Sequence, residues 1–123
     1  MSIGFVETIS FTKRALRLID DSTLAEVQRK LIEAPDLGDV MPGCGGMRKM
    51  RIADPRRHKG KRGGQRIIYL HVPEIALIFL VEIYDKGQKN DITAADKKRY
   101  QEFVSNVIKE IRAQRFNSGE NRP

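Results

Sequence analysis

Tryptophan is absent from this chain, cysteine occurs once, histidine twice, and no long apolar run is present. With 40% apolar and 32% charged residues and no Trp, the core must be aliphatic. A lone cysteine, Cys44, cannot form an internal disulfide, which fits a reducing compartment. Cys44, His58 and His71 are the only soft ligands, and no pair among them has metal-site spacing, so a zinc site is not expected, and no other motif here calls for a cofactor. No stretch approaches the roughly 20 apolar residues that span a bilayer. The opening MSIGFVETIS lacks the layout of a signal peptide, so a soluble cytosolic protein is expected. No helix around the basic residues is both basic and strongly amphipathic, so no membrane partner is expected either. The glycines at 43, 45 and 46 precede Arg48 and Lys49 without forming G-x-x-x-x-G-K-[ST], so a P-loop is not supported.

What is present is positive charge, and it is concentrated. The stretch Arg48 to Arg66, RKMRIADPRRHKGKRGGQR, holds nine Lys or Arg against one acid, Asp54, a local balance of +8 in a chain of net charge +7. The remaining residues therefore sum to −1. Such a field favours a polyanion or an acidic protein as partner.

At 123 residues the chain is long enough for one modest core. Ile3 to Glu7 reads as a strand. Ser10 is placed to cap a helix to about Ile19, and Thr23 with Glu26 forms a capping-box pattern for a second helix that stops at Ala34, before Pro35. PDLGDVMPGCGG is then an ordered connection. In the strand from about Met47 to Ala53, Met50 and Ile52 alternate with Lys49 and Arg51, sending aliphatics to one face and cations to the other. A basic loop over 54–64 precedes Gln65 to Val72 and Ile75 to Tyr84, a hairpin at the centre of the sheet. Thr93 and Asp96 start a third helix whose apolar stripe runs from Tyr100 to Ile111. The pattern ends at Arg115, leaving 116–123 as a frayed, disordered tail. The order βααβββα describes a small α+β domain with a mostly antiparallel sheet and its helices packed on one side.

The strand alternation suggests a chemistry. If Lys49, Arg51, Arg66, Glu82, Tyr84 and Lys86 share a face, the sheet presents cations, a phenol and a carboxylate around one surface. Cleavage of a phosphodiester by its neighbouring 2′-hydroxyl needs a proton acceptor, cations on the phosphate and a donor to the leaving oxygen. Clustered cations would lower the pKa of a Lys or Tyr toward use as a base. Tyr84 is equally suited to stacking on a base or to packing in the core, and Glu82 to pairing with a nearby cation. His71 reads as structural, whereas His58 lies within the basic cluster and is a candidate site residue of the type that changes charge near neutral pH. Asp20-Asp21 reads as helix termination and capping.

Four stretches, FVETISFTK, LGDVMPGCGGMRKMRIA, GKRGGQRIIY and LIFLVEIYDKGQKNDIT, carry a resemblance over about Phe5 to Ile111. In that order they resemble the RelE/HigB superfamily of bacterial toxin–antitoxin systems, particularly its HigB-like branch. The resemblance implies a RelE-like domain over residues 1–115 acting as a metal-independent mRNA interferase. Such a toxin enters the ribosomal A site and cuts the messenger by 2′-hydroxyl attack, inhibiting translation. Implied partners are the ribosome, mRNA and a cognate HigA-like antitoxin, acidic at its contact and carrying a helix-turn-helix domain. Operator DNA is met only through that antitoxin. The family's basic site positions are matched by Lys49, Arg51, Arg66 and Lys86, the last replacing an Arg of many relatives, and a family aromatic position by Tyr84; these five are the expected catalytic residues. Asp91 and Thr93 match a D-[LI]-T helix start. Arg48, Arg56, Arg57, His58, Lys59, Lys61 and Arg62 are the expected RNA contacts, with Lys59, Lys61 and Arg62 in a lysine- and glycine-rich loop facing ribosomal RNA. The competing expectation is a non-catalytic RNA- or protein-binding module of the same fold, and a third is a nuclease of naked RNA.

Overall fold

The computed structural model describes residues 2–53, 64–87 and 92–120, the side chains of 115–120 excepted. Its elements are β1 (Gly4–Glu7), α1 (Ile9–Leu18), α2 (Asp21–Glu33), β2 (Asp39–Val40), β3 (Arg48–Ile52), β4 (Gln65–Val72), β5 (Leu77–Asp85) and α3 (Ala94–Glu120). The α+β class stands, and so does the mostly antiparallel sheet. The strand order is β1-β5-β4-β3-β2, with β1 parallel to β5 and the other pairs antiparallel. One strand more than expected is present, because Asp39 and Val40 in the turn-rich connection pair with Lys49 and Arg48. Two residues are too few for an alternation pattern to reveal.

The helices start at side chains that accept otherwise unpaired backbone N–H groups. Thr8, not Ser10, caps α1, its hydroxyl accepting from the Phe11 N–H at 3.0 Å and donating to the Val81 carbonyl at 2.8 Å. Asp20, not Thr23, caps α2 by accepting from the Thr23 N–H at 2.8 Å. At α3, Thr93 and Asp96 each accept from the other's backbone N–H, as their spacing predicts. Helix α2 ends before Pro35 with Ala34 as its cap. The backbone of α3 continues to Glu120, past the Arg115 boundary drawn from the apolar stripe. Once nucleated, helical hydrogen bonding can propagate beyond the packed stripe.

The expectation of helices on one side is corrected by two separate cores. Phe11 and Ala15 of α1 and Val27 and Leu31 of α2 pack with Met50, Ile52, Ile67, Tyr69, Ile78, Leu80 and Ile83. Tyr100 and Val104 of α3 pack instead with Ile68, Leu70, Val72, Val81 and Tyr84, and with Met41, Cys44 and Met47. The near-continuous apolar runs of β4 and β5 need cover on both faces, and α3 supplies the second layer. Between these strands the register steps from Ile68–Glu82 to Tyr69–Leu80, leaving Val81 as an extra residue. This β-bulge reverses the alternation, so Leu80 and Ile83 face α1 and α2 while Val81 and Tyr84 face α3.

Candidate functional site

The sheet register brings the predicted cations together. Arg51 lies opposite Arg66 in the β3–β4 pair, and Arg66 lies opposite Tyr84 in the β4–β5 pair. Lys49, Ile68 and Glu82 form the neighbouring row. Because side chains alternate with period two, Lys49, Arg51, Arg66, Glu82 and Tyr84 all belong to the face that also carries α3.

Arg66 is only 4% exposed. Its Nη1 reaches the carbonyls of Gly64 and Gln65 at 3.3 and 3.4 Å, the outer limit of hydrogen bonding. Burial lowers its pKa from the ordinary arginine value and Arg51 adds to that, with Tyr84 and Asp85 acting in the opposite direction. An arginine remains charged under such pressure. A pair of guanidinium groups held across two strands is therefore a place where an anion is strongly favoured.

Tyr84 is 5% exposed, and burial raises its phenol pKa, outweighing the downward pull of Arg66. The expectation that clustered cations would make it a base is corrected here. At neutral pH Tyr84 keeps its proton and is suited to donate it. Glu82, also 5% exposed, accepts from Arg14 Nη1 at 3.0 Å and from the Tyr100 hydroxyl. It thus joins α1, β5 and α3. Burial and the bond to Glu82 drive the Tyr100 phenol far above its ordinary pKa. The Arg99 guanidinium lies 5.6 Å from the Tyr100 ring centroid and donates to Asp96 at 2.5 Å.

Lys86 is exposed in the turn after β5. Its backbone N–H meets the Gly64 carbonyl at 3.5 Å, the same oxygen that Arg66 approaches, so the two cationic residues arrive at one end of the sheet. Arg48 does not join them. It donates to the carbonyls of Asp36 and Gly38 at 3.2 and 2.7 Å, holding the connection between α2 and β2. Arg56, Arg57, His58, Lys59, Lys61 and Arg62 lie outside the described residues, as does Asp91. His71 is half-buried on β4. Sequence reasoning missed Arg14 and Tyr100 as partners of Glu82. Tyr100 sits in the apolar stripe of α3, where an aromatic reads as core, and Arg14 reads as one more solvated cation.

Fold and site together define a small basic α+β protein that presents arginines and a protonated phenol on one sheet face. The model of the family described as RelE toxin of the RelE/RelB toxin–antitoxin system matches residues 7–118, and the chain belongs to that family of toxins. A mutant of E. coli toxin RelE in the free state shares its fold, with a TM-score of 0.52 at 13% identity over 73% of this chain and 90% of that one. The same toxin in complex with an antitoxin RelB peptide aligns at a TM-score of 0.47 and 17% identity, over 68% of this chain and 82% of that one. For the intact E. coli RelBE complex the values are 0.43 and 16%, over 67% and 94%.

Proposed function

We propose that this toxin belongs to the HigB-like branch and is an endoribonuclease that cuts messenger RNA in the ribosomal A site. The observation that carries the proposal is the row Arg51–Arg66–Tyr84, two cations and a proton donor side by side across three strands. A phosphodiester over this row has its non-bridging oxygens met by guanidinium forks, which bind such oxygens bidentately. The 2′-hydroxyl gives up its proton to solvent water as it attacks phosphorus, the bond to the 5′-oxygen breaks and that oxygen takes up a proton, and a 2′,3′-cyclic phosphate and a 5′-hydroxyl result. Tyr84 is suited to protonate the departing 5′-oxygen, while Lys49 and Lys86 offset charge developing around the phosphate. The basic residues of 56–62 would hold ribosomal RNA.

An antitoxin that covers this face would silence the toxin. The local excess of positive charge favours an acidic segment, and the proposed partner is a HigA-like protein carrying a helix-turn-helix domain. Operator DNA would then be contacted only through it. Complex formation should weaken with salt.

The test adds purified protein to a translation reaction and maps messenger ends by primer extension, beside a sample of naked RNA. Cuts only in the translating sample are expected, and they should vanish in Arg66→Ala and Lys86→Ala. If both variants arrest translation as well as wild type, the site is misassigned. The non-catalytic binding module draws on one observation, that Glu82 is engaged by Arg14 and Tyr100 while Tyr84 is held protonated, leaving neither as a ready base. Arrested translation with intact messenger would favour it.

A further inference from the structure

A second cationic feature adjoins the row and has no part in the mechanism above. Strand β1 pairs with β5 from Leu77 to Leu80, and among the described residues no strand lies beside the rest of that β5 edge. The chain turns there into α1, fastened by the Thr8 N–H to the Leu80 carbonyl at 3.1 Å and the Thr8 hydroxyl to the Val81 carbonyl. A cleft of about 550 Å³ opens at this edge, lined by Ser10, Arg14 and Arg17 of α1, Glu82 and Tyr84 of β5, and Arg99 of α3. That volume is on the scale of small-ligand sites, larger than a lone phosphate needs and suited to a nucleotide.

Three arginines from two helices meet one carboxylate in this lining. Glu82 pairs with Arg14 and Asp96 with Arg99, so three guanidinium groups stand against two carboxylates and the site keeps a net positive charge. The role of Glu82 is to orient Arg14, which spends Nη1 on it, as Arg99 spends Nη2 on Asp96. The Arg14 and Arg99 side chains remain 42% and 58% exposed, within reach of a ligand. Arg14 and Arg17 are three residues apart on one helical face, so their forks can act on one group.

We propose that this cleft holds a backbone phosphate of the same RNA strand, next to the phosphate on the Arg51–Arg66–Tyr84 row. Tyr84 belongs to both the row and the cleft, so the two adjoin and a strand leaving one enters the other directly. An acidic peptide shares the charge but has no reason to follow Tyr84 from row to cleft. The proposal rests on the ribonuclease reading for the identity of the strand, and its test does not depend on cleavage.

The probe is a fluorescently labelled 2′-O-methyl oligoribonucleotide, which cannot be cut, titrated with the full chain at several salt concentrations. Wild type is compared with Arg17→Gln/Arg99→Gln, leaving Arg14 in place because its loss would strip Glu82 of a partner. Affinity should fall roughly tenfold for every oligonucleotide sequence, as expected for lost phosphate contacts. The slope of log affinity against log salt should become shallower by about 1.4, near 0.7 for each cation on a single strand. Arg17→Gln alone, at an exposed position, should give about half that change and serves if the double variant melts early. Arg17→Lys/Arg99→Lys should keep the slope. Unchanged affinity and slope in the glutamine variants would overturn the proposal. So would a wild type that binds no oligonucleotide, or variants that lose a polyglutamate peptide while keeping RNA, which would assign the cleft to an acidic protein. Messenger left uncut by a wild type showing the expected slope would count against the ribonuclease reading alone.

Discussion

Arg51 faces Arg66 directly across the β3–β4 ladder, and only the second of the two is buried. Like charges at such a position destabilise a sheet, and nothing in the hydrophobic pattern requires them. Arg51→Gln should therefore stabilise the free protein by about 0.5 kcal/mol, within the range for cross-strand pairs. The same change should slow messenger cleavage roughly 100-fold, as for loss of one group aimed at developing charge. Urea titration beside a cleavage time course measures both. A variant that is less stable and equally active would show that the pair is not in conflict and not at the site.

Tyr69, Tyr84 and Tyr100 are all buried, and burial is the largest cause raising each phenol above its ordinary pKa. The native state therefore holds these protons more tightly than the unfolded chain does. Their contribution is complete below the unfolded phenol value of about 10 and is lost as pH rises from there toward the native values. The urea midpoint should accordingly fall steeply above about pH 10, in step with phenolate absorbance.

Tyr100→Phe removes the hydroxyl that Glu82 accepts from and leaves Arg14 as its described partner. A loss of about 1–3 kcal/mol is expected, the range for a buried polar group deprived of a hydrogen bond. The alkaline decline should become shallower in this variant. Glu82→Gln with native Tyr100 should be milder, since an amide oxygen still accepts from the phenol. If Tyr100→Phe unfolds at the wild-type urea concentration, Glu82 does not depend on α3.

Tyr69 accepts from the Gly38 N–H and donates to the Pro35 carbonyl, both at 2.8 Å, clamping the α2–β2 connection over the core. Tyr69→Phe should cost about 1–3 kcal/mol. Gly38→Ala should be at least as harmful, since its Cβ would stand 2.9 Å from the Lys49 carbonyl oxygen and from the Tyr69 ring. Hydrogen exchange should quicken at Leu37, Gly38 and Asp39 in both variants. Unaltered exchange there would remove the clamp.

Gly45 has φ +71° and lies against α3, where an added Cβ would come within 3.0 Å of Val104. Gly45→Ala therefore combines left-handed backbone with a clash and should cost at least ~1–2 kcal/mol from the backbone alone. Adding Val104→Ala should recover only the steric share. Full recovery would show that the backbone is not strained by alanine. Thermal melts of the single and double variants separate the two.

Much of this fold was legible because its signals are local. Thr93 and Asp96 are three residues apart, and that spacing alone marks the start of α3. Met50 and Ile52 against Lys49 and Arg51 give the two faces of β3, since successive side chains in a strand point to opposite sides. The candidate site was legible as a list of cations and one phenol. Its geometry was not, because the pairing of Arg51 with Arg66 and of Arg66 with Tyr84 depends on ladder register, and the Val81 bulge has no signature in a run of apolar residues. The caps of α1 and α2 were misplaced for a similar reason: Thr8, Ser10, Asp20 and Thr23 all have suitable side chains, and the choice among them depends on where the preceding element, β1 or α1, releases the chain.

Charge distribution and helix and strand periodicity were determined by the sequence itself, since each depends on residues close together along the chain. Tertiary structure decided which face α3 covers, that Tyr84 keeps its proton, and that Glu82 is claimed by Arg14, 68 residues away, and by Tyr100, 18 residues away. Burial and long-range pairing control those outcomes. Both arise only when segments remote in sequence exclude water from one another, so no local pattern can encode them.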